Sequence, residues 1–421
     1  MKKWLRQHKE EQHLLNQYIR EYDRIDLKII FTVIMLCGFG VIMIYSASSY
    51  RCSITAKFGY DSFYFAKRQM VYAGIGIIVA TIIGKAINYN KFRSYTKLLY
   101  VLGFVTIFLL LTPLGVDENG AVRWINIGIN IQVAEVIKIV VIAFLAGLSY
   151  KYAFRMRKLK TLIMLWAVGG IPAILLVVIS NDLSSALIVV GITFGITFIV
   201  TAWKKLHITL LLLGSSGIVG LYVYLSNHMP SAEAISGQSF RLGRIVAWIN
   251  PELFADGIGY QPLQALYAVA SGGLFGKGLG NGVQKLSSIP EAQNDMIFAI
   301  ICEELGIFGG GLVLFLLGYL IYQLVRIAVS CKDLFGAVIV SGIALHLALQ
   351  TIINIGVVIG LLPNTGASLP FISYGGTAVA FTLLEISMAL SVYRQCLLSE
   401  IHKKYVTQDD APKRNRKRML L

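Results

Sequence analysis

Asp295 is the residue in this chain whose position best suits chemistry on a substrate. It follows the polar stretch 289–294 and comes directly before an apolar run that starts at Met296. A carboxylate at the start of a membrane helix lies at the boundary with water, where it can act as a general base towards a hydroxyl group. An acidic side chain at a helix start also complements the helix macrodipole, which is a purely structural role. The residue types alone leave both interpretations open.

Two further charged residues, Glu135 and Lys138, lie inside an apolar run. Ionisable side chains at such depth are costly and are functional candidates by default. Because the two residues are three positions apart, they can pair on one helix surface. Mutual neutralisation is one interpretation of this pair, and a polar cavity for an anionic headgroup is the other. Asp182, directly before another apolar run, is interpreted as a helix N-cap rather than as a catalyst.

The glycine-rich segment 271–282 lies in a long polar connection and contains Lys277. It does not match a nucleotide-binding P-loop, because Lys277 is followed by Gly rather than by Ser or Thr and no strand–helix unit surrounds it. Backbone amides of such a loop can approach phosphate groups. We therefore predict that Arg244, Lys277 and Lys285 contact an anionic headgroup, with ordinary turn formation as the alternative for this segment.

The composition assigns the chain to the polytopic membrane proteins. Of its 421 residues, 56% are hydrophobic and only 14% are charged. The net charge of +16 is interpreted as cytoplasmic loop bias and contact with anionic membrane lipids, not as nucleic-acid binding. The five cysteines and six histidines show neither a paired framework nor the spacing of zinc ligands. No cleaved signal peptide is predicted, because no apolar segment follows the basic start.

Hydropathy predicts an all-α fold with ten transmembrane helices, since ten apolar runs are long enough to span a bilayer. The predicted spans are 27–48, 68–87, 96–113, 132–150, 160–180, 183–202, 206–226, 296–325, 334–360 and 373–397.

The distribution of Lys and Arg over the short connections places both termini in the cytoplasm. The chain then divides into a cytoplasmic amphipathic segment (1–26), a ten-helix membrane domain (27–397) and a basic cytoplasmic tail (398–421). Residues 227–290 form a large extracytoplasmic loop between the seventh and eighth helices. On this topology the unusual polar residues gather at the outer face. A site that opens outward meets neither ATP nor nucleotide sugars, so its substrate is expected to be lipid-borne.

Five motifs of the chain resemble those of the SEDS family (shape, elongation, division and sporulation), which includes FtsW, RodA and SpoVE. The resemblance covers about residues 25–397. The motifs are MIYSASS at 43–49, RWINIGINIQVAEVIK at 123–138, GYQPLQALYAVASGGLFGKGLGNGVQKL at 259–286, IPEAQNDMIFAIICEELG at 289–306 and LPFISYGGT at 369–377.

The resemblance implies a ten-helix fold in the bacterial cytoplasmic membrane and a peptidoglycan glycosyltransferase activity. The implied substrate is lipid II, the undecaprenyl-diphosphate-linked disaccharide pentapeptide, and the implied partner is a class B penicillin-binding protein, a transpeptidase. The acid that the family uses in catalysis falls on Asp295. Here Gln293 and Asn294 replace the family's His-Thr before this acid, which puts a neighbouring histidine proton partner in doubt.

The predicted substrate-binding residues are charged or polar groups of these motifs and of the adjoining loop. They are Arg123, Glu135, Lys138, Arg244, Lys277, Lys285, Glu291 and Ser373. Positive charge for the leaving diphosphate is expected from some of the basic residues or from a divalent cation, Mg²⁺ or Mn²⁺. No protein metal site is predicted.

Two other functions compete with the enzyme. The first is a lipid II flippase that uses Glu135 and Lys138 as a transit site, and the second is a non-catalytic scaffold for the transpeptidase. A transporter is expected to carry polar groups through the full membrane depth, whereas the polar residues of this sequence stop in the outer half. This distribution favours the enzyme.

Overall fold

The computed structural model describes residues 26–118, 121–228, 240–286 and 289–418. The predicted amphipathic segment 1–26 therefore lies outside the described residues, apart from Asp26. Asp26 is the N-cap of the first helix, where its carboxylate accepts a hydrogen bond from the backbone N–H of Lys28.

Twelve α-helices occur in the described part of the chain. They are α1 Leu27–Ile54, α2 Tyr64–Ala86, α3 Tyr89–Leu109, α4 Val133–Lys151, α5 Leu159–Ile179, α6 Leu183–Val200, α7 Lys204–Asn227, α8 Phe240–Ile249, α9 Tyr260–Gly272, α10 Ile297–Ser330, α11 Leu334–Val358 and α12 Gly376–Arg418. Within the described residues, ten of these, α1–α7 and α10–α12, are long and apolar enough to cross a membrane. The all-α, ten-span prediction is confirmed. The last helix runs without a break past the predicted tail boundary at residue 398.

A small antiparallel sheet, which the all-α prediction did not include, precedes α4. Its strands are β1 Gly115–Glu118, β2 Ala121–Asn126 and β3 Asn130–Gln132, in the order β1-β2-β3. Trp124 pairs with Gln132 across β2 and β3. Because β3 leads directly into α4, the sheet fixes Arg123 of β2 close to the start of a buried helix.

The core lies between helices that glycine allows to approach closely. At Gly342 of α11, an added Cβ would lie 2.7 Å from Ile142 of α4 and 3.1 Å from Ile196 of α6. Small residues at such crossings are typical of membrane helix packing. By contrast, α7 is largely exposed. Among the residues that the structure describes in this helix, the buried one is His207, near its start. The helices that carry the charged motif residues are therefore in the bundle centre, not at its rim.

Consecutive spans alternate in direction, so every second connection lies at the same end of the bundle, called here the site end. These connections are α1–α2, α3–α4, α5–α6, α7–α10 and α11–α12. Contacts between these connections support this arrangement. Arg123 of β2 donates to the carbonyl of Asn181, which follows α5, and Ser184 donates to the carbonyl of Thr365, which follows α11. Tyr374 donates its backbone N–H to the carbonyl of Gln293, before α10.

The opposite end contains a cysteine pair that the sequence analysis did not predict. Cys331, which follows α10, and Cys396 of α12 are bonded, with their Cα atoms 5.5 Å apart. The two cysteines are 65 positions apart in the chain, and their proximity depends on tertiary packing that cysteine spacing does not reveal.

Helix α10 changes direction at Gly306, whose φ of 66° lies in the left-handed region. An added Cβ at this position would overlap the carbonyl oxygen of Leu274, so only glycine fits. The backbone N–H groups of Ile307 and Phe308 donate to the carbonyls of Gly273 and Leu274. The break therefore lets the glycine-rich segment 271–282 dock directly on α10.

Candidate active site

Asp295 lies in the turn that leads into α10, and Asn354 of α11 holds its backbone. Asn354 of α11 donates its Nδ2 to the carbonyl of Asp295 at 2.7 Å and to the carbonyl of Ala367 at 2.7 Å. The carboxylate faces Gly366, where an added Cβ would lie 3.8 Å from Asp295 Oδ2. The α11–α12 connection thus forms one wall beside the carboxylate.

The pKa of Asp295 is raised by burial to about 6. The charge of Arg244 opposes this rise, and the carboxylate of Glu291 adds to it. Glu291 itself is exposed, has a φ of +49°, and accepts a hydrogen bond from Asn294 Nδ2 at 2.9 Å. A carboxylate with this pKa is ionised at neutral pH and basic enough to take a proton from a hydroxyl group. Desolvation outweighs the backbone hydrogen bonds and the Arg244 charge, which lower the pKa, and this favours the general-base interpretation of Asp295.

Arg244 lies within electrostatic reach of this carboxylate, and the charge of Arg123 acts on Arg244 in turn. Arg244 of α8 donates its Nη1 to the carbonyl of Asn364 at 3.2 Å. Its pKa is lowered by burial and by the charge of Arg123, whereas Asp295 acts in the opposite direction. Arg123 Nη2 donates to the carbonyl of Asn181 at 3.2 Å. The structure therefore brings together four of the predicted site residues, namely Arg123, Arg244, Glu291 and Asp295.

Asp182 supports this cluster as a helix cap, as predicted. Its Oδ1 accepts a hydrogen bond from the backbone N–H of Ser185 at 3.0 Å, at the start of α6. The hydroxyls of Ser184 and Ser185 also donate to its carboxylate. Because Ser184 additionally donates to the carbonyl of Thr365, the cap attaches α6 to the α11–α12 connection.

Lys277 and Lys285 have buried carboxylates of α10 as partners. Lys277 Nζ lies 2.7 Å from Glu303, which also accepts backbone N–H groups of Val283 and Gln284. Lys285 Nζ lies 2.6 Å from Glu304. Both lysine charges are therefore matched within the protein. The ion pairs fasten the loop to α10, and the binding of substrate phosphates by these two residues stays a prediction.

Ser373 is also structural in this arrangement. It is buried, and its hydroxyl accepts the backbone N–H of Leu369 at 2.7 Å, which closes the turn before α12. Its carbonyl accepts from Gln69 of α2 at 3.3 Å. The hydroxyl thus shapes the connection that contacts the Asp295 segment, and substrate binding by Ser373 stays a prediction.

Glu135 and Lys138 form a fully buried ion pair on α4, with Lys138 Nζ 2.7 Å from Glu135 Oε1. This geometry matches the mutual-neutralisation interpretation. The ion pair is part of a larger hydrogen-bond network, because Lys138 Nζ also donates to Gln350 of α11 at 3.1 Å. Gln350 contacts His346, which in turn contacts Glu385 of α12. The analysis of the sequence missed His346 and Glu385, although a Glu inside the tenth apolar run was a visible signal.

No group of three His, Cys, Asp or Glu side chains that could hold a metal ion occurs in the part of the chain that the structure describes. Glu291 is exposed, and its charge acts on the carboxylate of Asp295. Mg²⁺ commonly binds one or two protein carboxylates together with substrate phosphates. This pair fits that mode of binding.

Comparison with known proteins identifies the family. Residues 27–396 match the FtsW/RodA/SpoVE family, described as "Cell cycle protein". The chain belongs to the FtsW/RodA/SpoVE family. Stage V sporulation protein E of Bacillus subtilis is 38% identical to it over 379 residues, covering 88% of this chain and 97% of that protein. The "Probable peptidoglycan glycosyltransferase FtsW" of Trichlorobacter lovleyi is 35% identical over 371 residues, covering 87% and 92%.

Solved structures support the fold of this FtsW/RodA/SpoVE family member. A chain of a peptidoglycan synthase complex that coordinates polymerization and crosslinking superposes with a TM-score of 0.68 at 24% identity, covering 89% of this chain and 98% of that chain. The crystal structure of Thermus thermophilus rod shape determining protein RodA gives a TM-score of 0.58 at 23% identity, covering 88% and 97%. At these identities the matches establish the fold alone. Family membership confirms the resemblance that the five motifs indicate, and the roles of individual residues stay predictions.

Proposed function

We propose that this chain polymerises lipid II into glycan strands, with Asp295 as the general base. Membership of the FtsW/RodA/SpoVE family makes the chain a peptidoglycan glycosyltransferase. The observation that carries the residue assignment is the position of Asp295, whose burial raises its pKa to about 6 beside Arg244 and the Gly366 wall. A base, a cationic pair and an open backbone wall are the groups that a glycosyl transfer to a hydroxyl requires.

In the proposed reaction, the 4-hydroxyl of an acceptor GlcNAc attacks the anomeric carbon of a lipid-linked MurNAc. The new bond joins the acceptor oxygen to that carbon, and the bond from that carbon to the diphosphate oxygen breaks. The hydroxyl proton passes to Asp295, and undecaprenyl diphosphate leaves with the bonding electron pair. Arg244 and Arg123 would stabilise the charge that develops on the diphosphate. Arginines suit this role because their charge is retained and their donors match phosphate geometry.

A divalent cation, Mg²⁺ or Mn²⁺, would be held by Glu291 together with diphosphate oxygens of the substrate. Bound there, it would supply further positive charge to the leaving group. Glu291 is exposed at the rim of the cluster and is therefore open to such an ion.

The proposed setting is the outer face of the bacterial cytoplasmic membrane, with both termini in the cytoplasm. A lipid diphosphate anchors the sugars just above the headgroup plane, level with the start of α10 where Asp295 lies. The proposed partner is a class B penicillin-binding protein, which would crosslink the strands that this chain makes. Superposition on a chain of a complex that coordinates polymerization and crosslinking is consistent with this partner.

A lipid II flippase remains the second candidate, because one structural observation favours it. His346 lies midway along α11, twelve residues from each of Leu334 and Val358, and it is buried together with Glu385 of α12. The expectation that polar groups stop in the outer half of the membrane was therefore wrong. Buried ionisable groups at this depth are typical of transport paths as well as of structural networks.

Purified protein incubated with lipid II tests the alternatives directly. Growth of glycan strands supports the polymerase, and exchange of lipid II between the leaflets of a vesicle supports the flippase. The absence of both supports the scaffold. Membrane vesicles without the protein provide the background for both measurements.

The rate of polymerisation is expected to decrease as the pH is lowered through about 6, because protonated Asp295 cannot accept the hydroxyl proton. Below that pH, a single ionisation predicts a decrease of roughly tenfold per pH unit. Initial rates measured between about pH 4.5 and pH 8.5, with lipid II binding followed over the same range, check this expectation. A rate that stays constant throughout this range would contradict the base assignment.

A further inference from the structure

His346 and Glu385 form an ionisable pair in the bundle centre that the proposed reaction does not use. His346 Nδ1 lies 2.8 Å and 3.0 Å from the two carboxylate oxygens of Glu385. Both side chains are 1% exposed. An unpaired charge at such depth is costly, so a pair like this one requires a physical reason to be present.

The hydrogen bonds around Gln350 determine where the protons of this pair lie. Lys138 Nζ has no acceptor, so Gln350 must present its Oε1 to Lys138, at 3.1 Å. The same Oε1 lies 2.7 Å from His346 Nε2, which must therefore carry a hydrogen and donate it. The amide Nε2 of Gln350 then donates to the carbonyl and the hydroxyl of Ser368, at 3.0 Å and 3.1 Å. All hydrogen-bonding positions of this amide are filled.

With Nε2 of His346 fixed as a donor, its Nδ1 and the Glu385 carboxylate must share one more proton. Without that proton, a lone pair would face a carboxylate at 2.8 Å in a dry interior. The His346–Glu385 pair is then neutral overall, as is the Glu135–Lys138 ion pair. The complete network of five side chains is therefore electrically neutral, which makes its burial in the membrane affordable in free energy.

The network reaches the Asp295 site through one face of α11. His346, Gln350 and Asn354 are spaced at i, i+4 and i+8, so they form a single polar stripe along the helix. Gln350 holds Ser368, and Asn354 holds Ala367 together with the backbone of Asp295. Gln350 and Asn354 thus fix neighbouring residues of the wall that contains Gly366.

We propose that His346 and Glu385 are positioning residues that share one proton, lock the orientation of the Gln350 amide, and thereby hold the 366–368 wall against Asp295. The catalytic consequence of this inference rests on the proposed polymerase function. The geometric consequence does not, because it concerns only the order of the wall.

Two variants separate this role from simple core packing. In His346→Leu/Glu385→Leu, both partners are replaced by apolar groups, so no buried charge is left unpaired and Gln350 loses one of its two donors. In the matched control Glu385→Gln, the amide can donate to His346 Nδ1, and His346 Nε2 remains a donor to Gln350. The control therefore retains the orientation of Gln350 without the shared proton.

Two measurements on the full-length protein in detergent follow the effect. Amide hydrogen exchange of the peptide covering 364–372 is expected to become at least tenfold faster in the double Leu variant and to stay at the wild-type rate in Glu385→Gln. With lipid II, kcat is expected to decrease about tenfold in the double variant, with a change in KM of less than about twofold, whereas Glu385→Gln retains the wild-type kcat. Thermal unfolding of each variant records whether the fold is intact.

Each outcome decides the inference. Faster exchange in the wall together with a lower kcat, both restored in Glu385→Gln, supports it. Wild-type exchange in the double variant overturns it, and so does faster exchange with a wild-type kcat, since the wall would then not act on the reaction. If the wild type itself makes no strands, the proposed function fails, and the exchange data alone decide whether the pair orders the wall.

Discussion

Asp295→Asn is expected to reduce the rate of glycan strand synthesis by about 10²- to 10⁴-fold, the usual contribution of a general base. Asparagine has nearly the same shape as aspartate but cannot take up the proton of the acceptor hydroxyl. The backbone carbonyl at this position would still accept the hydrogen bond from Asn354. The substitution therefore removes the chemistry and leaves the surrounding segment in place. Strand synthesis from lipid II by the purified variant is the measurement.

Stability provides the internal control for this prediction. The folded-state pKa of Asp295 is raised to about 6. Ionisation of its carboxyl therefore disfavours the folded state as the pH rises from the ordinary pKa of an aspartate towards 6. Asparagine carries no charge, so at neutral pH the variant is expected to unfold at the same temperature as the wild type or at a higher one. An inactive variant that is also less stable would indicate that Asp295 is structural.

Asp61→Asn is the matched control at the same end of the bundle. Asp61 is partly exposed and pairs with Lys67 at 2.8 Å, a type of surface contact that contributes little to stability. Its replacement is expected to leave strand synthesis at the wild-type rate. Wild-type strand yields from Asp295→Asn would overturn the assignment of the base.

Hydropathy and charge bias were sufficient to predict the ten spans, because the bilayer sets both the length and the polarity of each helix. They also predicted that Arg123, Arg244, Glu291 and Asp295 meet at one end, because alternating spans leave the connections that contain them nowhere else to lie. The cap at Asp182 was predictable from its position before an apolar run. These features depend on local sequence or on topology.

The partners of individual charges were not predictable in the same way. Lys277 and Lys285 look like phosphate ligands while their loop is considered alone, but docking of that loop at Gly306 places them on Glu303 and Glu304. The chain length between partners, 26 and 19 residues, carries no signal for such pairing. The same limit applies to His346 and Glu385, which only the packing of α11 against α12 brings together.

Glu304→Gln is expected to destabilise the protein by about 3–5 kcal/mol, because it leaves Lys285 as an uncompensated buried cation. Glu304 is fully buried and accepts hydrogen bonds from Lys285 Nζ, Ser46 Oγ and the backbone N–H of Gly280. These contacts join α1, α10 and the glycine-rich loop. Replacing Lys285 with Met alone is expected to have a similar cost, because the carboxylate then loses its counterion. Thermal and denaturant unfolding in detergent measure both effects.

The double variant Glu304→Gln/Lys285→Met separates a structural lysine from a substrate-binding one. Removal of both charges of a buried pair is often close to neutral, so most of the lost stability is expected to return, and the coupling follows from the double-mutant cycle. Because Lys285 Nζ contacts Glu304 and Ser46 and is buried, lipid II binding by the double variant is expected to equal that of the wild type. A double variant that is stable but binds lipid II tenfold more weakly would restore Lys285 to the substrate site. If the single and double variants lose the same stability, the ion pair does not fasten the loop.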